Sequence, residues 1–180
     1  LFRSKTCPGL GIFYTAGVQD AISCFSDADY AGSQTDRRST SGLCTFRGSH
    51  LVSWKSKKQP VVSRSSAEAE YRAMAQGTCE VMWLRALLTE LGFPITESST
   101  LFCDNKSAIM LASDSVLHER TKHIEVDVHF LREKVKSGII SPCFVPSCDQ
   151  TADMFTKAVG PSLLKLSLRK LGLVDIFAPA

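Results

Sequence analysis

The sequence predicts an α/β domain, a mixed sheet of five strands flanked by helices, and three observations carry that prediction. Residues 40–46 and 51–56 have strand composition and are joined by four residues, Arg47-Gly48-Ser49-His50, which makes an antiparallel hairpin. From residue 66 onward helical and strand-like stretches alternate, the pattern that leads to parallel pairing. Between the two regimes Ser65 is followed three residues later by Glu68, a capping box that opens a long helix. With 180 residues and 44% apolar content, one compact domain can bury a core and two domains are not expected.

Taken in order, residues 1–10 read as a linker from an upstream region, residues 11–160 as the domain, and residues 161–180 as an amphipathic helix and tail. Residues 11–14 suit a short strand or edge segment. Residues 21–26 form an apolar run that ends in Asp27-Ala28-Asp29, so an acid closes a buried strand. Strand ends are where α/β folds present functional groups, although the same acids could simply open a turn. Residues 32–38 are polar and read as a loop. After the hairpin, Lys55, Lys57, Lys58, Arg64 and Arg72 gather around the second strand's end and the helix start, with Trp54 beside them. Such a group can track a phosphate backbone or solubilise a sheet edge.

The long helix runs from Ser66 to about Leu91 and stops at Gly92-Phe93-Pro94. Helical offsets from Glu70 give Met74, Gly77, Val81, Leu84, Leu88 and Leu91, a stripe directed at the core. Glu70 therefore heads an apolar face, where a carboxylate is costly unless a cation receives it. Glu68, on the more polar side, belongs to the cap. Residues 100–103 are a second apolar run ending in an acid, Asp104, and Asn105 opens a helix to about residue 117. Arg120 starts a third helix with the stripe Ile124, Val128, Leu131 and Val135, closed by Gly138. Residues 139–145 contain Pro142 and suit an edge strand. Ser147 and Gln150 resemble another capping box, leading into a helix over 151–157 that carries Asp153; residues 163–173 follow as the amphipathic helix.

Four acids, Asp27, Glu70, Asp104 and Asp153, thus lie on four elements that could meet at one end of the sheet. Carboxylates at close range cannot all ionise without a counter-charge, and hard divalent cations with oxygen ligands supply one. Two such ions can clamp the attacking and leaving oxygens of a phosphoryl displacement, which is nuclease chemistry. Composition neither announces nor excludes this, since the net charge is only +3. Seven cysteines, an odd number with no CxxC pair, fit reduced thiols inside a cell better than a disulfide framework. No apolar run approaches the roughly 20 residues of a membrane helix. A first residue other than methionine suggests a piece of a longer polypeptide.

The motifs, taken together, are specific. Residues 26–32 (Ser-Asp-Ala-Asp-Tyr-Ala-Gly), 36–42 (Asp-Arg-Arg-Ser-Thr-Ser-Gly), 53–60 (Ser-Trp-Lys-Ser-Lys-Lys-Gln-Pro), 65–71 (Ser-Ser-Ala-Glu-Ala-Glu-Tyr), 103–108 (Cys-Asp-Asn-Lys-Ser-Ala), 121–125 (Thr-Lys-His-Ile-Glu) and 152–157 (Ala-Asp-Met-Phe-Thr-Lys) resemble, in order and spacing, the ribonuclease H domain of copia-type LTR retrotransposon Pol polyproteins. The resemblance covers about residues 8 to 175. It implies a ribonuclease H-like fold and hydrolysis of the RNA strand of an RNA–DNA hybrid during reverse transcription. It also implies two Mg²⁺ ions (or Mn²⁺), an upstream reverse transcriptase domain as partner, and a cytoplasmic site within virus-like particles or a nuclear one.

By position, the resemblance assigns Asp27, Glu70, Asp104 and Asp153 as the catalytic, metal-holding acids, with Asp149 and Asp127 as alternatives for the fourth. Lys55, Lys57, Lys58, Arg64, Ser66 and Asn105 are the expected nucleic-acid contacts. Cellular relatives carry a histidine in the loop before the last acid, and residues 144–151 have none, so a histidine-assisted step is not expected. Integrases and transposases order their acids Asp, Asp, Glu, whereas here the glutamate falls between the first two aspartates. Other readings are a domesticated copy that binds without cutting, and a zinc module built from His118, His123, His129, Cys143 and Cys148, whose spacing fits no standard site.

Overall fold

The structure, a computed structural model, describes residues 9–17, 21–113, 124–175 and 177. Its centre is a five-stranded sheet built from β2 (Ile22–Asp29), β3 (Thr40–Arg47), β4 (His50–Lys58), β5 (Ser99–Cys103) and β6 (Ile140–Phe144), in the spatial order β4-β3-β2-β5-β6. The hairpin strands β3 and β4 are antiparallel to their neighbours, while β5 is parallel to both β2 and β6. Both halves of the sequence prediction therefore hold, and Pro142 lies on an edge strand as its missing amide requires.

The long helix α1 (Ser66–Glu90) packs on β2 and β3, joined by α2 (Lys106–Ser113) and α3 (Glu125–Lys136). Met74, Val81, Leu84 and Leu88 from the α1 stripe are buried with Ile22, Cys24, Leu101, Val128 and Leu131. Gly77 brings helix and sheet together, since a Cβ there would lie 3.0 Å from Cys24 Sγ and 3.2 Å from Leu101 Cδ1. Leu91, the last member of the expected stripe, is instead exposed, because the helix has already ended and the chain turns at Gly92 with φ +85°. On the sheet's opposite face Cys44, Phe46, Leu51 and Leu171 form a second core. That face is closed by the C-terminal region, where α4 (Pro161–Lys170) leads to β7 (Leu173–Asp175), which pairs with β1 (Leu10–Ile12).

Several local expectations are corrected. The hairpin connection is two residues, Gly48-Ser49, rather than four, with Gly48 at φ +59°, a value suited to a tight turn. β2 does not end at Asp27 but continues to Asp29, pairing Asp27 with Gly42. The predicted strand over 11–14 is the three-residue β1, outside the main sheet. The helix expected over 151–157 is a 3-10 turn, Thr151–Phe155, preceded by another at Ser147–Asp149. Ser147 caps neither, since its hydroxyl donates to Asp104; Gln150 takes the capping role, its side chain accepting from the Ala152 amide. The amphipathic helix over 163–173 is α4, which stops at Lys170 so that Leu173 can enter β7. The expected end of α2 near residue 117 and start of the third helix at Arg120 lie outside the described residues.

At Gly42 the 3-10 turn carrying Asp153 lies close against the sheet. A Cβ on Gly42 would lie 2.7 Å from Thr156 Cγ2 and 2.9 Å from both the Ala152 carbonyl and Phe155 Cβ. A backbone oxygen cannot move aside as a flexible side chain can, so Gly42→Ala should displace the 151–157 segment. The expected cost is about 1–3 kcal/mol, read as a lower midpoint in urea unfolding with an unchanged slope.

Candidate active site

One end of the sheet gathers the acids. Asp27 arrives on β2, Glu70 on the first turns of α1, Asp104 just after β5 and Asp153 on the second 3-10 turn. One carboxylate oxygen from each of Asp27, Asp104 and Asp153 lies within 4.8 Å of the others. Glu70 joins the same end through a second group, with Cys103 and Asp104, whose ligand atoms also lie within 4.8 Å. Glu70 Oε1 accepts a hydrogen bond from the Ala28 amide at 3.2 Å, which ties the helix start to the strand beside Asp27. All four predicted acids are thus brought together.

The alternatives for the fourth acid are engaged elsewhere. Asp127 pairs with Arg72 at 3.5 Å, and Asp149 is exposed and pairs with Lys170 at 3.6 Å. Asp29 turns away, accepting from the Thr40 amide. Glu68 is buried, and its amide donates to Ser65 Oγ at 3.1 Å, as a cap requires. Its carboxylate reaches one residue beyond a standard capping box, accepting from the Arg64 amide at 2.7 Å, and pairs with Arg72 at 3.0 Å. Glutamates two apart on the helix therefore serve different purposes.

Contacts that the sequence did not foresee hold the acids in place. Gln150 Nε2 donates to the Ser26 carbonyl at 2.9 Å, pinning the Asp153 segment next to Asp27. Gln59 Nε2 donates to the Ala69 carbonyl and to Ser41 Oγ, and its own oxygen accepts from Ser63, locking the start of α1 to β3. Thr156 donates to Asp27 Oδ2, and Ser147 donates to Asp104 Oδ2 at 2.7 Å. Thr156 had a signal in its position three residues after Asp153; Gln59 had none, because its partners on β3 and α1 come beside it only in the fold.

Burial is the main reason Glu70 and Asp27 resist ionisation. It pushes Glu70 up to about 9, with the charges of Asp27 and Asp104 adding to the effect against the Ala28 hydrogen bond. It also raises Asp27 to about 6, although Thr156 and the Lys157 ammonium pull the other way. At neutral pH and without a cation, Glu70 therefore keeps its proton. The donor set is oxygen-rich and compact, with more carboxylates than can ionise together, which is the condition a hard divalent cation relieves. Asp27, Asp104, Asp153 and Glu70 are the residues that would hold it.

The expected nucleic-acid contacts differ in what holds each of them. Lys55 is drawn to the buried Glu80, and Lys58 pairs with Asp36 at 3.0 Å. Lys57, Arg64 and Ser66 are exposed, and Lys57 and Arg64 make no ion pair among the described residues. Asn105 uses its side-chain oxygen to accept from the Ala108 amide at 3.0 Å, opening α2. Of the zinc reading, His118 and His123 lie outside the described residues. His129 is exposed on α3 beside Glu125, and among the described residues no cluster of three metal-ligating groups includes it, Cys143 or Cys148. The six cysteines described are all free thiols. No helix among the described residues is long and apolar enough to cross a membrane.

Sheet order and converging acids define a ribonuclease H-like domain, and comparison with solved structures agrees. An LC11 RNase H1 solved in complex with RNA/DNA hybrid matches over 75% of this chain and 93% of its own, with TM-score 0.56 and 9% identity. The N-terminal RNase H domain from Mycobacterium tuberculosis matches over 84% of this chain and 98% of its own, with TM-score 0.53 and 16% identity. At such identities the likeness establishes the fold. No family model matches the chain. Among curated proteins, the retrovirus-related Pol polyproteins from transposons RE1 and RE2 of Arabidopsis thaliana are each 41% identical over 169 residues, 94% of this chain. The Pol polyprotein from transposon TNT 1-94 of Nicotiana tabacum is 37% identical over 158 residues, 87% of the chain. The chain belongs with the retrovirus-related Pol polyproteins of copia-type transposons, and it spans about 12% of the length of these relatives.

The pKa shifts generate a prediction for the protein in EDTA. A carboxyl raised in the folded state contributes stability that is complete below its unfolded value and lost as pH rises through its folded value. For Glu70 that window runs from its ordinary value near 4.5 to about 9. The metal-free protein should therefore melt at progressively lower temperature between pH 5 and 9, and Glu70→Gln, which has no proton to lose, should flatten that decline. Parallel curves for the two proteins by differential scanning fluorimetry would contradict the protonated Glu70.

Proposed function

We propose that this domain is a divalent-metal-dependent ribonuclease H that cuts the RNA strand of RNA–DNA hybrids during reverse transcription. The observation that carries this reading is the meeting of Asp27, Asp104 and Asp153 within 4.8 Å, with Glu70 alongside. The relatives' names place them in Pol polyproteins of transposons, which makes a reverse transcriptase domain of the same polyprotein the natural partner. An RNase H1 of the same fold was solved with RNA/DNA hybrid, which supports hybrid as the ligand.

Bound at these acids, Mg²⁺ or Mn²⁺ would supply Lewis acidity and neutralise charge on the attacking and leaving oxygens. The chain's own residues set the stage. Asp27 and Asp153 offer carboxylate oxygens from two separate elements, and Thr156 donates a hydrogen bond to Asp27. Glu70 must give up its proton when the site is loaded, so loading releases protons at neutral pH. Lys57 and Arg64 are exposed for phosphate contacts, which orient the duplex without reading sequence. Selection of the RNA strand would come from contacts with its 2′-hydroxyls.

The direct test is cleavage of a labelled RNA–DNA hybrid in Mg²⁺ against EDTA, with double-stranded DNA as the control. Glu70→Gln should fold normally and lose cleavage by roughly a hundredfold or more, as removal of a charge-stabilising group does elsewhere. Glu68→Gln should retain most of the rate, because its work is in the cap and the Arg72 pair. Loss of activity in Glu68→Gln alone would overturn the assignment.

Charge neutralisation separates the lysines. Replacing Lys57 and Arg64 by Gln should lower the slope of log affinity against log salt by about 1.4 to 1.8, since each phosphate contact releases about 0.7–0.9 counterion. Replacing Lys55 and Lys58, whose charges already face Glu80 and Asp36, should change the slope less. Filter-binding titrations between 50 and 200 mM salt, roughly the range over which such slopes are resolved, would measure both.

A further inference from the structure

Lys157 intrudes on the acidic cluster. It lies one turn beyond Asp153, and its Nζ is 2.9 Å from Asp153 Oδ1 and 3.7 Å from Asp27 Oδ2. Among the described residues it is the cation whose ion pairs join two of the clustered acids. Its stem is held where it begins, because the Lys157 amide donates to the Asp153 carbonyl at 3.1 Å and the preceding Thr156 hydroxyl donates to Asp27. The side chain is half-exposed, so it can swing out without disturbing the core.

We propose that Lys157 is a built-in counter-cation, its ammonium holding Asp27 and Asp153 together in the space that a divalent ion must take, so that loading the site means displacing it. The inference rests on the reading of these acids as metal ligands. Its physical basis is competition for shared oxygens. Asp27 Oδ2 already receives Thr156 and faces Lys157, and Asp153 Oδ1 is the lysine's hydrogen-bonded partner. An ammonium neutralises one charge where a divalent ion neutralises two, and its flexible four-carbon stem allows departure. Lys157 thus keeps the acids from repelling one another before loading, at the cost of weaker ion binding. It acts as a positioning residue whose effect is read in affinity.

Isothermal titration of Mn²⁺ at pH 8, above the value of Asp27, tests this without any cleavage. Lys157→Met should bind the ion about tenfold more tightly than wild type, within the range typical of coupled binding, and melt at lower temperature in EDTA. Lys157→Gln should behave in the same way, which guards against a folding defect in either variant. Lys157→Arg, which keeps the charge, should retain wild-type affinity. Equal or weaker binding in both neutral variants, with wild type binding normally, overturns the counter-cation while leaving the metal-dependent reading intact. Absence of Mn²⁺ binding by wild type overturns both.

Discussion

The structure turns on a buried carboxylate that has to sit beside other carboxylates. Glu70 is 5% exposed and its environment holds it protonated, which is a costly way to begin a helix unless something else is gained. The surrounding construction spreads that cost. The Ala28 amide gives Glu70 one hydrogen bond, Gln59 fastens the helix start to β3, and the long apolar stripe behind it anchors α1 against β2. A helix held only by its first turn could relax away from Asp27. One held along 25 residues cannot.

The same logic explains the weak local structure at 147–157. Asp153 approaches Asp27 across a strand face where the chain lies so close to Gly42 that a Cβ there would meet the Ala152 carbonyl at 2.9 Å. Two 3-10 turns are narrower and sharper than α-helix, and they let backbone carbonyls and Phe155 lie directly on β3. The bonds that hold the segment come mostly from outside it, through Gln150 to Ser26, Thr156 to Asp27 and Ser56 Oγ to the Phe155 carbonyl. Helical propensity could not have stabilised this placement, because the contacts that matter are to β2 and β4.

How far the sequence could be read follows from the range of each interaction. The five strands, the hairpin and α1 were legible because apolar runs, period 3.6 and the Ser65 cap are written within a few residues of one another. Glu70 was separable from Glu68 for the same reason, since helix geometry sends the two in different directions. Failures occurred where the deciding partner is far away in sequence. Ser147 and Gln150 match a capping pattern, yet Asp104 claims the serine and Ser26 the glutamine amide. The lysines of 55–58 look like a uniform basic strip, but Glu80 and Asp36 neutralise two of them from other elements.

These neutralised lysines bear on how the domain could recognise a polyanion with a net charge of only +3. Long-range attraction of the whole molecule is weak at that value, so phosphate recognition must be local and short-ranged. On the proposed function, cation loading and nucleic-acid approach would be coupled electrostatically, and each would favour the other by the same factor at equilibrium. A site that keeps Glu70 protonated and Asp27 capped by Thr156 and Lys157 presents a muted negative charge to an incoming backbone. If it takes up cations as proposed, those protons and that ammonium would have to leave, which would place the affinity of the bare domain for cations under the control of its own side chains.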